Sequence, residues 1–386
     1  MKSPQGFIPP PNTPPFRAGI DGAGCRNNRK DPRALARAGS MMMGDKRASV
    51  LAISLWILIM LAMLAVSVGH RVSMGLRMSK YQRDAVRAVY AAKAVSDKMI
   101  TELEKDINSF DAYTESWADN SSIFKKYSLE ESEGEYGMVT RPKEAVPGSE
   151  DVIAYGASDE EGRIDINKAD KPVILQALKV SGVDIMKAGD LAENIIQWKK
   201  SPVDPLLEKE YLYSMGYSCK GSSFSSTEEL ILVKGMRELT QEKFEKLKSM
   251  ATIYGTGNTV KVNINTASED VLKALAMYGV TLVGSTDVND DDAAALVVAF
   301  RDFRITGKYF EPGNLNTGAI RVSLGLEDTL SDNRTKILDA LVTSQVFSAV
   351  SSNFRIEATG IAGGVAKTLT IIYNPDSHKT VFWHER

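Results

Sequence analysis

The chain has 386 residues and a net charge of only −2, but the charge is unevenly placed: residues 1–48 hold nine Lys/Arg against three Asp, a local +6, which leaves −8 for the rest. An acidic body argues against wrapping nucleic acid, whose phosphates call for clustered Lys and Arg. Two cysteines, Cys25 and Cys219, make no disulfide framework, and the three histidines, His70, His378 and His384, stand at no zinc-ligand spacing.

In chain order, the Pro- and Gly-rich start (residues 6–19) reads as disordered. The uncharged run Ser49–Gly69 comes next, 21 residues that as a helix span roughly 30 Å of hydrocarbon. A secretory signal would have a shorter apolar core and a small-residue cleavage site, a role that Ala65-Val66-Ser67 could fill. From His70 onward the chain has no proline and keeps apolar residues at helical spacing (Ala85, Val89, Ala92, Met99, Leu103) to about Asp106, which predicts one long helix, half apolar and half amphipathic. Positive residues before the run and an acidic body after it place the N-terminus in the cytoplasm and the body outside. Cys219 reads as a buried thiol.

"NSFDAYTESWADNSS" and "EESEGEYG" read as loop. The β-like stretches 151–158 and 163–167, separated by Asp159-Glu160-Glu161-Gly162, predict a hairpin. From there to about Gln345 the pattern is helical and weakly duplicated: residues 162–184 match 260–281, with Asn167 corresponding to Asn265, and "FSSTEEL" has a counterpart in "YFEPGNL". Two related helical units are predicted side by side. Residues 353–361, 365–374 and 379–385 then predict an antiparallel three-stranded meander. Strands before and after the helical block suggest one sheet interrupted by an insertion. The boundaries are a leader or cytoplasmic segment 1–48, a transmembrane helix 49–69, its amphipathic continuation 70–110, the first part of the sheet 111–166, the inserted helical domain 167–347, and closing strands 348–386.

No catalytic constellation emerges, so no enzyme is expected. "GYSCK" has Lys220 where a nucleophile elbow needs glycine, and "GGVAKT" lacks the glycine before lysine that a phosphate loop requires. "ELILVKGMRELTQEKFEKLK" (229–248) resembles a helix-hairpin-helix, which grips phosphates with backbone N–H groups at a Gly-x-Gly turn. Gly235 is present, but Arg237 replaces the second glycine and Glu238, Glu242 and Glu245 come after it, so a structural helical hairpin is the preferred reading. No cofactor is required. Calcium is the one ion considered, at the acidic loop with Asp204, Glu208 and Glu210, and less so at Asp287 to Asp292, where the acids also suit a helix start.

Four segments, "KRASVLAISLWILIMLAMLAV", "EEGRIDINKAD", "FSSTEELILVKGM…TIYGTGNTVKVNINTASEDVL" and "FRIEATGIAGGVAKTLTIIY…VFWHE", resemble the K-type minor pseudopilins of type II secretion systems (general secretion pathway protein K). The resemblance covers nearly everything after Arg47. It implies an α+β, pilin-like fold: a long N-terminal helix on an antiparallel sheet, with a large α-helical domain, helix-hairpin-helix-like, inserted between strands. It also implies processing by the prepilin peptidase at Ala48–Ser49, with methylation of the new terminus, although the family's usual glycine before the cut is absent; Gly44–Asp45 would supply that glycine but put a charged pair into the membrane segment. With Ser49 first, the fifth residue is Ile53, where most pilin-like subunits have glutamate. Ile53 and Trp56 then belong to the assembly helix of a subunit at the pseudopilus tip, above I- and J-type minor pseudopilins. The resemblance also implies secreted cargo or the secretin as a further partner, and the inner membrane as the starting location. Two other readings stand beside this one: a membrane-anchored DNA-binding protein of competence, and a minor pilin of a type IV pilus.

Overall fold

A computed structural model describes residues 35–128, 134–143, 153–201, 203–326 and 332–386, with side chains from Ser49 onward. Most of the leader, Cys25, residues 130–133 of the loop predicted at 130–137, and strand residues 151–152 lie outside the described residues; the end of that loop, Tyr136 and Gly137, is strand. Two compact units divide between Leu76 and Arg77. The described part of the first is helix, the beginning of α1 (Leu35–Leu103).

In the second unit, α1 has a clear buried stripe. Ala88, Ala92, Val95, Met99 and Leu103 recur every three or four residues and are at most 2% exposed. After the helix, residues 106–120 are irregular, as their polar composition predicts, yet they are not a loose surface loop. Trp117 and Ala118 are buried, and Trp117 meets Phe354 edge-on with ring centroids 4.9 Å apart. The short α2 (Ser121–Phe124) adds Phe124 to the same core.

Strand β1 (Tyr136–Val139) leads to β2 (Arg141–Pro142), β3 (Ile153–Ala154), β4 (Ser158–Asp159) and β5 (Ile164–Asp165). The predicted hairpin between 151–158 and 163–167 does not form: β3 pairs with β2, β4 pairs with a strand near the C-terminus, and β5 pairs with a strand 87 residues downstream. Turn chemistry at Asp159–Gly162 is present, but its carboxylates are buried in a junction, and the chain uses the turn to change domains.

The insertion contains α3 (Lys171–Val180), α4 (Ile185–Lys199), α5 (Pro205–Ser214), the 3₁₀ turns Thr227–Leu232 and Met236–Glu238, and α6 (Gln241–Met250), closed by β6 (Ala251–Thr252). A second series comes after it: β7 (Val262–Asn263), α7 (Glu269–Val283), α8 (Asp290–Ile305), α9 (Thr317–Ser323), α10 (Asn333–Thr343) and β8 (Phe347–Ser348). Each series opens and closes on a short parallel pair, β5 with β6 and β7 with β8. The weak duplication is therefore real. Its firmest signature is a pair of asparagines. Asn167 accepts from the Phe224 N–H at 2.7 Å and donates to the Phe224 carbonyl at 3.1 Å, and Asn265 makes the same two bonds to Phe310 at 2.7 and 2.9 Å. Each amide side chain thus imitates a strand neighbour for a phenylalanine whose ring enters the core. Lys199 and Arg304 also correspond, each ending its helix with a hydrogen bond to the carbonyl of Ala169 or Ala267.

The chain ends in β9 (Phe354–Ala362), β10 (Val365–Asn374) and β11 (Lys379–Glu385), the predicted meander. Strand β9 alternates buried and half-buried residues along its length, the period of a sheet with one covered face. The order is β1-β9-β10-β11, with β4 on the same side of β9 as β1, so strands on both sides of the insertion share one sheet. Helix α1 lies on it at very close range. Gly137 and Gly360 face each other across β1 and β9; a Cβ on Gly360 would sit 1.9 Å from the Ala88 carbonyl oxygen, and one on Gly137 2.5 Å from that of Ala91. Only glycine admits a helix backbone that close.

Replacing Gly360 by Ala is expected to destabilise the second unit by about 3 kcal/mol, because the overlap is with backbone and not with a mobile side-chain end; urea denaturation of the full chain in detergent measures it. Asn167→Ala and Asn265→Ala should each lower stability by about 1–3 kcal/mol, since each strands a buried N–H and C=O.

Candidate functional site: the assembly helix and its anchorage

From Ser49 to Arg83 every residue of α1 is exposed. Exposure reaches 57% at Ile53 and 67% at Trp56, and Ile53, Trp56, Met60 and Leu64 succeed one another at helical spacing along one side. Among the described residues this is one helix long and apolar enough to cross a membrane. Such a surface is stable only against lipid or other apolar helices. No ionisable side chain interrupts it before His70. Ser54 returns its hydroxyl to the Leu51 carbonyl at 2.9 Å, so it offers no outward donor. Ala48 lies in the helix and Ser49 is exposed.

The other sequence-derived candidates are placed by the second unit. Asp204 does not sit in an open acidic loop: it caps α5, accepting from the Leu206 N–H at 2.8 Å. Glu208 is exposed in the first turn of that helix, and Glu210 pairs with Lys234. Among the described residues, the three carboxylates brought within 4.8 Å of one another are different ones, Asp106, Asp111 and Glu115. Asp290 to Asp292 begin α8, where Asn289 and Asp292 form a reciprocal capping box. Gly235 stands in a left-handed turn with φ +86°. There the Lys234 and Met236 N–H groups are already bonded, to the Tyr211 hydroxyl and the Val233 carbonyl, so they do not point at a ligand. The segment before that turn is a 3₁₀ turn instead of a first α-helix. Cys219 is a buried free thiol, raised above its ordinary pKa by burial.

A buried polar junction, invisible to motif reading, anchors the insertion to the sheet. Asp159, 2% exposed, accepts from the Glu161 N–H (2.7 Å), Asn263 Nδ2 (3.0 Å), Thr266 Oγ1 (2.5 Å) and Ser351 Oγ (2.6 Å). Those donors come from the start of the insertion, from its middle and from its exit. Asp111 accepts from the Ser351 N–H at 2.7 Å, and Glu161 from the Ser352 N–H at 3.1 Å. Next to them the fully buried Glu160 takes Arg355 and, at 3.2 Å, Arg163. The electrostatics divide accordingly. Burial alone would raise Glu160, but Arg163 and Arg355 hold its carboxyl below the usual range. Burial with no cation in contact pushes Asp111 up to about 8 and Glu161 up to about 7, against the hydrogen bonds they accept. The recurring Asn of "RIDIN" and "VKVNIN", Asn167 and Asn265, marks the two phenylalanine contacts and not this junction, whose Asn263 aligns with Asp165. Nothing local marked Asp159, Ser351 or Thr266 as its members.

The fold these features define is pilin-like: one apolar N-terminal helix, an antiparallel sheet packed on its amphipathic half, and a large helical insertion rooted in that sheet. No protein-family model matches the chain, and no curated protein matches it in sequence. In structure it is similar to a chain of the GspK-GspI-GspJ complex of the type 2 secretion system of enterotoxigenic Escherichia coli, with a TM-score of 0.54 and 15% identity over 80% of this chain and 99% of that one. The chain therefore has the pilin-like fold expected from its sequence.

Because the folded pKa values of Asp111 and Glu161 lie above ordinary carboxyl values, the protonated forms favour the fold. That stability is complete below the ordinary carboxyl range and is lost as pH rises through about 7 and about 8. The melting temperature is expected to fall between roughly pH 5 and pH 9, and Asp111→Asn with Glu161→Gln should flatten the decline in scanning calorimetry.

Proposed function

We propose that this protein is a K-type minor pseudopilin of a type II secretion system. It starts in the inner membrane on its single helix, with the body outside, and after trimming at Ala48–Ser49 takes the tip of the pseudopilus above I- and J-type subunits. The observation that carries the reading is the shared fold with a chain of a three-subunit secretion complex, covering 99% of that chain.

Physical arguments support the place at the tip. Elsewhere in a fibre, a glutamate at the fifth mature position pairs with the amino group of the subunit ahead. In an apolar surrounding an unpaired carboxylate costs several kcal/mol. A subunit with nothing ahead gains from an apolar residue, and Ile53 is one. The insertion, residues 167–347, is bulk that identical subunits stacked above would have to clear. A cap has no such requirement, and is placed to meet cargo or the outer-membrane channel.

Mass spectrometry of the mature N-terminus is expected to give Ser49; a start at Val68 would mean ordinary secretory cleavage and sink the tip role. Co-expression with I- and J-type subunits should give a complex that survives detergent extraction and is lost when residues 49–69 are replaced by an unrelated membrane anchor. If the complex never forms, the assignment fails whatever the terminus.

A further inference from the structure

Between the irregular segment after α1 and the C-terminal end of α8 lies a cleft of about 220 Å³. Arg301 and Arg304, about one helical turn apart, approach it from α8, and Lys308 approaches from just beyond the helix end. Arg141 and Lys143 approach it from the sheet side. Against these five cations the lining holds two carboxylates, Asp119 and Glu269. In a chain whose residues after 48 sum to −8, such a concentration of positive charge is the reverse of the surroundings.

The cations are held in two ways. Arg141 is 6% exposed, donates to the Ala118 carbonyl at 2.8 Å and lies 3.8 Å from the centre of the Tyr113 ring, so its guanidinium is fixed. Arg304 is tied to the Ala267 carbonyl. Lys143 meets Asp119 at 3.4 Å, and Arg301 meets its neighbour Asp302 at 3.2 Å and Glu269 at 3.8 Å, with all five side chains 30% or more exposed. Exposed pairs of that kind are weak in water and exchange readily for another carboxylate. Lys308 is exposed beside the Phe303 ring. The walls between the cations are apolar: Ala112, Tyr113 and Ile305.

We propose that this cleft is a docking site for an acidic segment of a partner polypeptide, one in which carboxylates alternate with apolar side chains. Guanidinium forks suit carboxylates, and the apolar walls suit the residues that lie between them. A nucleic acid or polyphosphate would call for a continuous cationic track on an open surface. The cations here converge on a small walled space. Such docking goes beyond the pseudopilin reading and does not depend on it.

The test uses the full chain in detergent and a fluorescein-labelled peptide of alternating glutamate and leucine, read by fluorescence anisotropy, beside the same peptide with glutamine for glutamate. The glutamate peptide is expected to bind about tenfold or more tightly than the glutamine one, and raising salt from about 50 to about 500 mM should remove most of the difference. Arg301→Gln with Lys308→Gln should weaken glutamate-peptide binding about five- to tenfold. Lys261→Gln with Lys379→Gln, exposed charges elsewhere, should leave it unchanged. If the first pair melts early by circular dichroism, Lys308→Glu alone, at an exposed position, carries the comparison. Equal binding of the two peptides, no binding at all, an unchanged affinity in the cleft variants, or an equal loss in the control pair overturns the proposal. So does displacement of the peptide by a short polyphosphate that binds more tightly.

Discussion

The molecule depends on one buried carboxylate. Asp159 sits at the point where the chain leaves the sheet, and it is held by donors from Glu161, Asn263, Thr266 and Ser351. Burial raises its pKa despite the hydrogen bonds it accepts, and a buried carboxyl left without those four donors would be strongly destabilising. The three chain segments that bring those donors are therefore locked to one another, and a helical domain of about half the chain is joined to a five-stranded sheet by a root of fixed geometry. The neighbouring Glu160 with Arg163 and Arg355 adds a compensated ion cluster to the same root. Asp111 and Glu161 add two carboxyls that burial keeps from ionising readily.

Above that root the insertion is built twice. In each half an asparagine after a short strand binds the backbone of a distant phenylalanine, and a cation at the end of a helix closes the turn beyond it. Helices α3 and α7, the corresponding first helices of the two halves, pack on each other, and the buried residues of both halves form a single apolar core. Neither half has a separate core of its own. The result is one block whose two halves share a core.

Helix α1 serves two environments by changing composition along its length. Up to Arg83 its side chains are exposed, and its apolar ones have to be covered by lipid or by other helices. From Asp84 a narrow stripe of small residues appears, and across from it two paired glycines let the backbones touch. Small side chains on both sides maximise contact area, so the helix is held by close packing and few polar bonds.

What the residues alone determined were features with a local physical signal. The length and apolarity of 49–69, the alternation in the three closing strands, the capped start of α8 and the recurring Asn-x-Ala pattern all arise from periodicity or side-chain chemistry within a few residues. The family resemblance drew on the same segments. Only the tertiary structure decided what Asp159 to Gly162 do. Their composition spells a hairpin turn, but each flanking strand finds a partner tens to hundreds of residues away, and turn propensity is worth less than burying those strands in two different cores. It likewise made Asp204 a helix cap, brought Asp111, Asn263 and Ser351 to one point, and gathered cations from α8 and the sheet side into one cleft. Contacts between residues far apart in the chain leave no periodic trace, because each partner is an ordinary polar residue until the fold places it.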